Sequence, residues 1–405
     1  MTNYEEFEKV LLEKTIMDHD EFMRTYNPWQ TKRAKQLIGN YLNIMDNNGN
    51  HKYDQGDFNF DKESFSWLAI DQELEEQFLN KNTKIKFPKN MHYGLPNHVH
   101  GNIDEATIFQ CLINPNIDLK DKKKSPKNLD IFFKVFNDTK DSSSNFSNHA
   151  SINNINPHIV DLNSSILKDE LKKLIDLDDK TFKIVMSGVK KLTKYYYYLG
   201  EYFYPLLTSD NSKETTFKTL RRELHREENK NLILENIDNL KTCNLELFPF
   251  RSKLPELGKS EKKIGRALVN TNVDTLLFSA RVILRRIALS IMRNIDSSKI
   301  NKDIPIFIFR RYEISWKGII KEVLEKDYGM SSSDAQNILN KIEDKYFYYF
   351  NSRFQKKNSS GKISLNNLKR SNSNIDEKEE GLSKEEYQNL KKTHGTLILE
   401  KQINK

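Results

Sequence analysis

Glycine is scarce in this sequence, with 14 residues in 405, which is about half the usual share. No G-x-G-x-x-G motif occurs, so the glycine-rich turn that holds a dinucleotide pyrophosphate is missing. The tripeptide Gly258-Lys259-Ser260 is similar to the end of a phosphate-binding loop, but Lys253 occupies the position of its first glycine. These absences argue against a dinucleotide-dependent enzyme and against a nucleoside triphosphatase.

Cysteine and long apolar runs are scarce as well. Cys111 and Cys243 are too few for a disulfide framework or a four-thiolate zinc site, and since each lies in an apolar run we expect both to be buried. No run approaches the roughly 20 apolar residues of a membrane-spanning helix. The first 20 residues are rich in glutamate, where a secretion signal would be basic and then apolar. We therefore expect a cytoplasmic protein with no membrane partner.

The chain is basic: Lys and Arg number 65 and Asp and Glu 57, a net charge of +8. A positive excess favours polyanionic partners because bound phosphates release counterions. The sites that we predict to contact nucleic-acid phosphates are the run Lys122, Lys123 and Lys124 and the pair Arg310 and Arg311, to which a purely binding protein would add the pair Arg285 and Arg286. A solvated lysine run without a partner is the alternative for the first of them.

The spacing of apolar residues divides the chain into three parts. Residues 1–85 show helical spacing and are predicted to be a helical N-terminal region. Residues 86–370 alternate short apolar runs with helical patterns, which predicts an α/β domain whose mainly parallel sheet is flanked by helices. The predicted strands are 106–113, 244–250, 304–309 and 362–365, and the predicted helices include 182–207 and 276–294. Residues 120–154 are predicted to be a mobile surface loop, and 371–405 a charged tail or a peripheral helix.

Histidines and tyrosines form two local concentrations. His92, His98 and His100 lie close together, but no carboxylate or thiol stands at a metal-ligand spacing, so we expect no metal and instead a substrate contact from His100. A metal-dependent nuclease would need clustered acidic ligands, and we find none at a metal-ligand spacing in the sequence. The aromatic run 195–204 is predicted to pack mostly in the core, with one or two rings as an alternative stacking wall for a base.

Asn114-Pro115-Asn116 directly follows the first predicted strand. Open parallel sheets bind ligands just beyond the carboxyl ends of their strands. An amide side chain there, fixed by the following proline, can hold a water molecule or a carbonyl group in one orientation. An ordinary Asn-Pro turn is the alternative interpretation.

Three segments, in this order, resemble motifs of the uracil-DNA glycosylase-like superfamily. Residues 101–116 resemble the opening of its branch with an Asn-Pro-Gly first motif. Residues 244–252 are similar to the middle strand of divergent bacterial members, which ends in a Phe-Pro-aromatic-basic-Ser turn, and 363–367 to their closing Ser-x-x-Asn loop. Asn116 stands where the family has Gly, Leu365 where it has Pro, and no His-Pro-Ser sequence occurs, so uracil is not the expected base.

The resemblance implies a DNA glycosylase that hydrolyses the N-glycosidic bond of a modified or damaged base flipped out of double-stranded DNA, in repair or in defence against phage DNA. It implies that Asn114 positions the attacking water, with no cofactor. The residues that it places around the substrate are Asn116, His100, Asn244, Arg251, Ser252, Ser364 and Asn367. A catalytically inactive nucleic-acid-binding protein of the same fold is the alternative. The excised base and the oligomeric state are left open.

Overall fold

The computed structural model describes residues 3–47, 65–79, 91–92, 94–115, 158–186, 196–207, 213–224, 226–252, 264–296, 304–350, 362–370 and 381–394. The predicted loop 120–154 lies outside the described residues, and so do Asn116 and the lysine run Lys122 to Lys124. Among the described residues, no helix combines the length and the apolar character that crossing a membrane requires.

The described residues form one seven-stranded mixed sheet whose four central strands are parallel. In chain order the strands are β1 Val99–His100, β2 Ile108–Leu112, β3 Val160–Asp161, β4 Thr242–Glu246, β5 Ile306–Phe309, β6 Phe347–Phe350 and β7 Leu368–Arg370. Their order in space is β3-β1-β4-β2-β5-β6-β7. β1 runs antiparallel to β4, and β7 antiparallel to β6. The predicted α/β class with a mainly parallel sheet is confirmed.

Helices cover both faces of this sheet. In chain order they are α1 Asn3–Lys14, α2 His19–Tyr26, α3 Lys32–Asn47, α4 Gln72–Phe78, α5 Ile166–Ile175, α6 Asp179–Met186, α7 Tyr204–Leu207, α8 Lys213–Leu224, α9 Glu227–Asp238, α10 Ile264–Val269, α11 Asp274–Asp296, α12 Trp316–Lys326, α13 Ser332–Tyr346 and α14 Lys384–Thr393. Short 3₁₀ turns occur at Pro28–Gln30, Trp67–Ile70 and Tyr312–Ile314, and Leu199–Phe203 forms a π-helical turn directly before α7.

Alternate side chains of the central strands enter two separate hydrophobic cores, as the two-residue period of a strand requires. Phe109 and Cys111 of β2 belong to the first core, which also holds side chains of α1 to α4 and α10 to α13. Ile108 and Leu112 belong to the second core, with α5, residues 196–207, α8, α9 and α14. The N-terminal helices therefore share a core with the sheet. Cys111 and its counterpart Cys243 on β4 are buried, as predicted.

The C-terminal segment contains a docked helix. Ser383 and Glu386 form a capping box at the start of α14, an arrangement that satisfies two backbone N–H groups reciprocally. The Tyr387 hydroxyl donates to the carbonyl oxygens of Pro205 (3.1 Å) and Ile363 (2.8 Å). The peripheral-helix alternative therefore describes residues 384–393.

The predicted strand 362–365 is wrong. The Ser364 carbonyl accepts the N–H groups of Asn367 (2.9 Å) and Leu368 (3.1 Å), which makes this segment a turn. The strand begins only at Leu368. A short alternating pattern cannot distinguish a strand from the turn that precedes it.

The predicted phosphate contacts of Arg285 and Arg286 are also wrong, because both side chains are buried, with 2% and 0% of their surface exposed. Arg285 donates from Nε and Nη2 to Asp104, at 2.9 Å each. Arg286 donates from Nε to the Ala106 carbonyl at 2.8 Å. α11 has a polar face, but the N-terminal helices pack over it. The spacing of residues within α11 does not show which helices from elsewhere in the chain pack over it.

Candidate active site

The turns that follow β2 and β4 are joined at the carboxyl edge of the parallel strands. Past the strand ends, the Phe248 N–H donates to the Ile113 carbonyl (3.0 Å) and the Ser252 N–H to the Pro115 carbonyl (3.1 Å). Proline has no N–H of its own, so Pro115 and Pro249 end the regular ladder here. The result is a rigid edge that holds Asn114 beside Ser252.

Asn114 is half-buried at this edge and its amide group is fixed. Its Nδ2 atom donates to Ser252 Oγ (2.9 Å), to the Ser252 carbonyl (3.0 Å) and to the Pro115 carbonyl (3.2 Å), three acceptors that share its two protons. The side-chain oxygen Oδ1 accepts no hydrogen bond from the described residues. Asn114 is thus an oriented acceptor with an unused oxygen.

Arg251 places a positive charge beneath the edge. Its Nε atom donates to the Leu95 carbonyl at 2.6 Å, which ties the β4 turn to the segment before β1. Burial lowers the pKa of the guanidinium to about 10, and the nearby Tyr198 and Glu246 oppose that shift. The side chain is therefore still a cation at neutral pH.

Arg310 and Arg311 follow β5, the other neighbour of β2, and both are exposed. Arg310 Nη1 donates to the Tyr202 hydroxyl at 3.4 Å, and this hydroxyl lies 3.2 Å from that of Tyr197. The Tyr197, Tyr198 and Tyr202 rings pack mutually, with centroids 5.4 to 5.9 Å apart. Exposed cations and an aromatic cluster thus adjoin the edge.

Most of the aromatic run packs in the second core. The buried members are Tyr196, Tyr202, Phe203 and Tyr204. Tyr197 and Tyr198 are partly buried and pack against that core. The core interpretation therefore holds for most of these rings.

Glu246, the last residue of β4, is a buried carboxyl at the same edge, with 2% of its surface exposed. Its Oε2 atom has no hydrogen-bond partner, and no described residue donates to its carboxyl. Burial raises the pKa of Glu246 well above its usual range, and the positive charges of Arg251 and Arg310 oppose this rise. Sequence reasoning did not identify this residue.

A row of polar side chains crosses the middle of the sheet beneath Glu246. The strand register aligns His100 with Asn244 and Asn244 with Gln110. Asn244 Nδ2 donates to Gln110 Oε1 at 2.6 Å, while Asn244 Oδ1, Gln110 Nε2 and His100 Nε2 find no partner among the residues that the structure describes. Burial lowers the pKa of His100 to about 4, so the ring is neutral. His100 and Asn244 thus lie within strands, whereas the sequence suggested a loop and a strand end.

Ser364 and Asn367 precede β7, at the same edge but three strands away from β2. Asn367 Nδ2 donates to the Lys362 carbonyl within its own turn at 3.2 Å. The Ile363 N–H donates to the Tyr202 carbonyl at 2.9 Å, which ties this turn to the π-helical segment. The structure therefore brings Asn114, Arg251 and Ser252 together and leaves Ser364 and Asn367 apart from them.

An open cavity of about 730 Å³ lies at the opposite edge, where Asp104 and Glu105 precede β2 and Asp161 ends β3. Its carboxylates are already engaged: Asp104 Oδ2 lies 2.8 Å from His19 Nδ1 and also accepts from Arg285. We place the candidate site at the carboxyl edge instead, because the buried Glu246 Oε2 atom there has no hydrogen-bond partner among the described residues.

The sequence does contain a signal for Gln110 and Glu246, the two residues of this region that were not predicted. Gln110 and Glu246 are polar residues inside apolar runs that predict strands buried on both faces. A buried polar side chain without an obvious partner is expensive, which makes such an interruption informative. The sequence predicted the strands but assigned no role to these two interruptions.

Comparisons with protein-family models, with curated proteins and with solved structures found no match to this chain. The class that the fold and the site define is an α/β protein with a polar site at the carboxyl edge of its parallel strands.

Proposed function

We propose that the chain is a DNA glycosylase that hydrolyses the N-glycosidic bond of a modified or damaged base flipped out of duplex DNA. The observation that carries this proposal is the fixed amide of Asn114. Ser252 and Pro115 hold its nitrogen, so its oxygen is oriented with no partner among the described residues. Such an oxygen accepts a hydrogen bond from one water molecule and aims the lone pair of that water.

The chemistry fits this arrangement. Hydrolysis breaks the bond between C1′ of the sugar and the base nitrogen, so positive charge develops on the sugar and negative charge on the base. Water adds its oxygen to C1′. A neutral amide is a weak base, so Asn114 contributes by positioning the water, and catalysis depends on stabilising the departing base. The buried charge of Arg251, beside the same edge, favours that developing negative charge.

DNA binding is assigned to the exposed cations of the same edge. Arg310 and Arg311 are exposed directly after β5, where phosphates flanking a flipped nucleotide would lie. Flipping costs a few kcal/mol and is easiest for a base that is mispaired or damaged. This cost is the physical reason for expecting a modified base.

A base-release assay tests the proposal. The chain is incubated with a panel of duplexes that each carry one modified or mispaired base, and free base is measured by mass spectrometry. We expect release from at least one duplex, and a loss of at least about 100-fold in an Asn114→Ala variant that melts like the wild type. Equal release by the variant contradicts the role of Asn114. Tight DNA binding with no release from any duplex would favour the inactive binding protein instead.

A further inference from the structure

Three glutamates are buried among the described residues: Glu170, Glu246 and Glu343. Glu170 accepts the backbone N–H groups of Tyr198 (3.0 Å) and Leu199. Glu343 accepts the Tyr312 hydroxyl at 2.6 Å. Of these three, only Glu246 has a carboxyl that accepts no hydrogen bond from the described part of the chain. Hydrogen bonds therefore explain why Glu170 and Glu343 can be buried, but they do not explain the burial of Glu246.

Glu246 and Asn114 lie at the same edge of the sheet, at the ends of adjacent strands. Glu246 pairs with Leu112 in the register of β4 and β2, and Asn114 follows Leu112 by two residues. Leu112 packs in the second core, so the Glu246 side chain lies on that face of the sheet, towards the tyrosine cluster. Both side chains thus stand at one edge of two adjacent strands.

We infer that Glu246 is the acid that protonates the departing base, an inference that rests on the proposed glycosylase activity. As the bond between C1′ and the base nitrogen breaks, its electron pair moves to the base, and the Glu246 carboxyl transfers its proton to a ring nitrogen or an exocyclic oxygen. The water that adds to C1′ loses one proton, which returns to the Glu246 carboxylate. The products are the free neutral base and the abasic sugar, and the acid is regenerated.

The surroundings of Glu246 suit this cycle. The ionisable groups that interact with it electrostatically are Arg251 on its own turn, Arg310 after β5, Cys111 on β2, and Tyr197 and Tyr198 on the segment before the π-helical turn. Burial raises the pKa of Cys111, Tyr197 and Tyr198, so these three stay neutral. Burial also raises the pKa of Glu246, which favours the protonated carboxyl that this step requires, and the two arginines stabilise the carboxylate that forms.

An acid at this position restricts the class of base that the protein is expected to release. A base that departs easily as an anion needs no acid, whereas a base that departs poorly gains most from protonation in the transition state. The expected substrates are therefore bases with an accessible ring nitrogen or exocyclic oxygen and a poor tendency to leave as anions.

The test compares the wild type with Glu246→Gln, which keeps the shape and removes the proton. Single-turnover release is measured, from neutral pH upward, on the panel duplex that the wild type cleaves fastest. We expect the wild-type rate to fall about tenfold per pH unit above the pKa of Glu246. The variant should be slower at neutral pH by at least about 100-fold, with a flat pH profile. Glu343→Gln, which changes a buried glutamate of α13 whose carboxyl accepts the Tyr312 hydroxyl, is the matched control and should keep the wild-type rate and profile.

The outcomes separate the two proposals. Wild-type release together with an unchanged rate and profile in Glu246→Gln overturns the role of Glu246 alone. Absence of release by the wild type from every duplex overturns both proposals. An infrared difference spectrum between the wild type and Glu246→Gln, recorded on both proteins without DNA, is independent of activity. It should show the carbonyl band of a protonated carboxyl at neutral pH, and its absence overturns the acid role.

Discussion

Ser252 contributes two of the three acceptors that hold the Asn114 amide, its hydroxyl and its carbonyl oxygen. The hydroxyl acceptor can be removed by mutation, while the carbonyl acceptor belongs to the backbone and survives. A single mutation of Ser252 can therefore remove one of the three acceptors that orient the Asn114 amide and leave the other two.

We expect Ser252→Ala to slow base release by about tenfold, because the amide loses one anchor and its oxygen spends less time aimed at the water. The matched control is Ser165→Ala, which removes a buried hydroxyl that hydrogen-bonds with that of Thr242 at the start of β4, the opposite end from Ser252. Single-turnover rates and thermal melting of both variants are measured. An equal loss of rate in the two variants would show that the hydrogen bond between Asn114 and Ser252 has no special role.

At the scale of elements, Gly101 allows β1 to lie against β4. Its φ angle is +123°, a conformation that other residues rarely adopt. A Cβ atom added there would lie 2.4 Å from the Thr242 carbonyl oxygen and 2.7 Å from Cys243 Cα, both backbone atoms of β4. Neither neighbour can move without displacing the strand that carries Asn244 and Glu246.

Gly101→Ala is expected to lower the free energy of unfolding by about 3 kcal/mol or more, through backbone strain and the clash with β4. Gly39→Ala is the control, since a Cβ added at Gly39 in α3 meets no described atom within 4 Å outside its chain neighbours and the backbone of its own helix. Alanine should stabilise that helix by about 0.5–1 kcal/mol. Urea denaturation measures both, and a similar change in the two variants would refute the close approach of β1 to β4.

The strands that the sequence predicted correctly are those that lie in runs of apolar residues. β2, β4 and β5 lie in apolar runs because both faces of the central strands are buried. β1 and β3 have two residues each and β7 has three, too few for any pattern, and their place is set by pairing with a neighbouring strand. The burial of Arg285 and Arg286 depends on N-terminal helices that are distant in the chain.

Part of the candidate site was predictable because it follows from the predicted strands. Asn114, Arg251 and Ser252 follow predicted parallel strands, and the carboxyl ends of such strands meet at one edge. Glu246 and Gln110 were not predicted, because their significance depends on the absence of a partner, which only a three-dimensional structure reveals. The exact register, which places His100 beside Asn244, was likewise beyond the sequence.

At the scale of the whole molecule, two buried histidines link stability to pH. Burial lowers the pKa of His98 to about 3 and that of His100 to about 4. In the unfolded chain a histidine titrates near 6.5. The stability that each contributes is therefore fully present above about pH 6.5 and is lost as the pH falls towards the folded pKa. Asp71 and Glu170, whose pKa burial raises to about 6 and about 7, oppose this slope, so a variant must isolate it.

We expect His98→Gln, whose side-chain oxygen can still accept from Trp29 Nε1, to remove one histidine from this linkage. Below about pH 6.5, the unfolding free energy of the wild type should fall relative to that of the variant by up to about 1.4 kcal/mol per pH unit. Urea denaturation at several pH values measures the difference. A difference that does not change with pH would show that His98 is not held neutral by the fold.

The salt dependence of DNA binding tests the lysine run Lys122 to Lys124. If the run Lys122 to Lys124 binds phosphates, replacing its three lysines with Gln should flatten the slope of log affinity against log salt by about 0.9 for each phosphate that is no longer neutralised. Modified and unmodified DNA should be affected equally, because lysines that bind phosphates do not read bases. The control variant replaces Lys9, Lys32 and Lys35, three exposed lysines of α1 and α3, and so makes the same change in net charge. Equal slopes in the two variants would leave the lysine run as solvated surface.

The two cysteines lie on β2 and β4, the adjacent strands whose ends carry Asn114 and the turn with Ser252. Burial raises the pKa of both thiols well above the usual range, so a thiol reagent reaches them as thiolates only when the centre of the sheet opens. The rate of alkylation of these cysteines therefore reports how often the sheet beneath the candidate site opens, and no label has to be introduced. DNA that binds at this edge should slow the alkylation, whether or not its base is released.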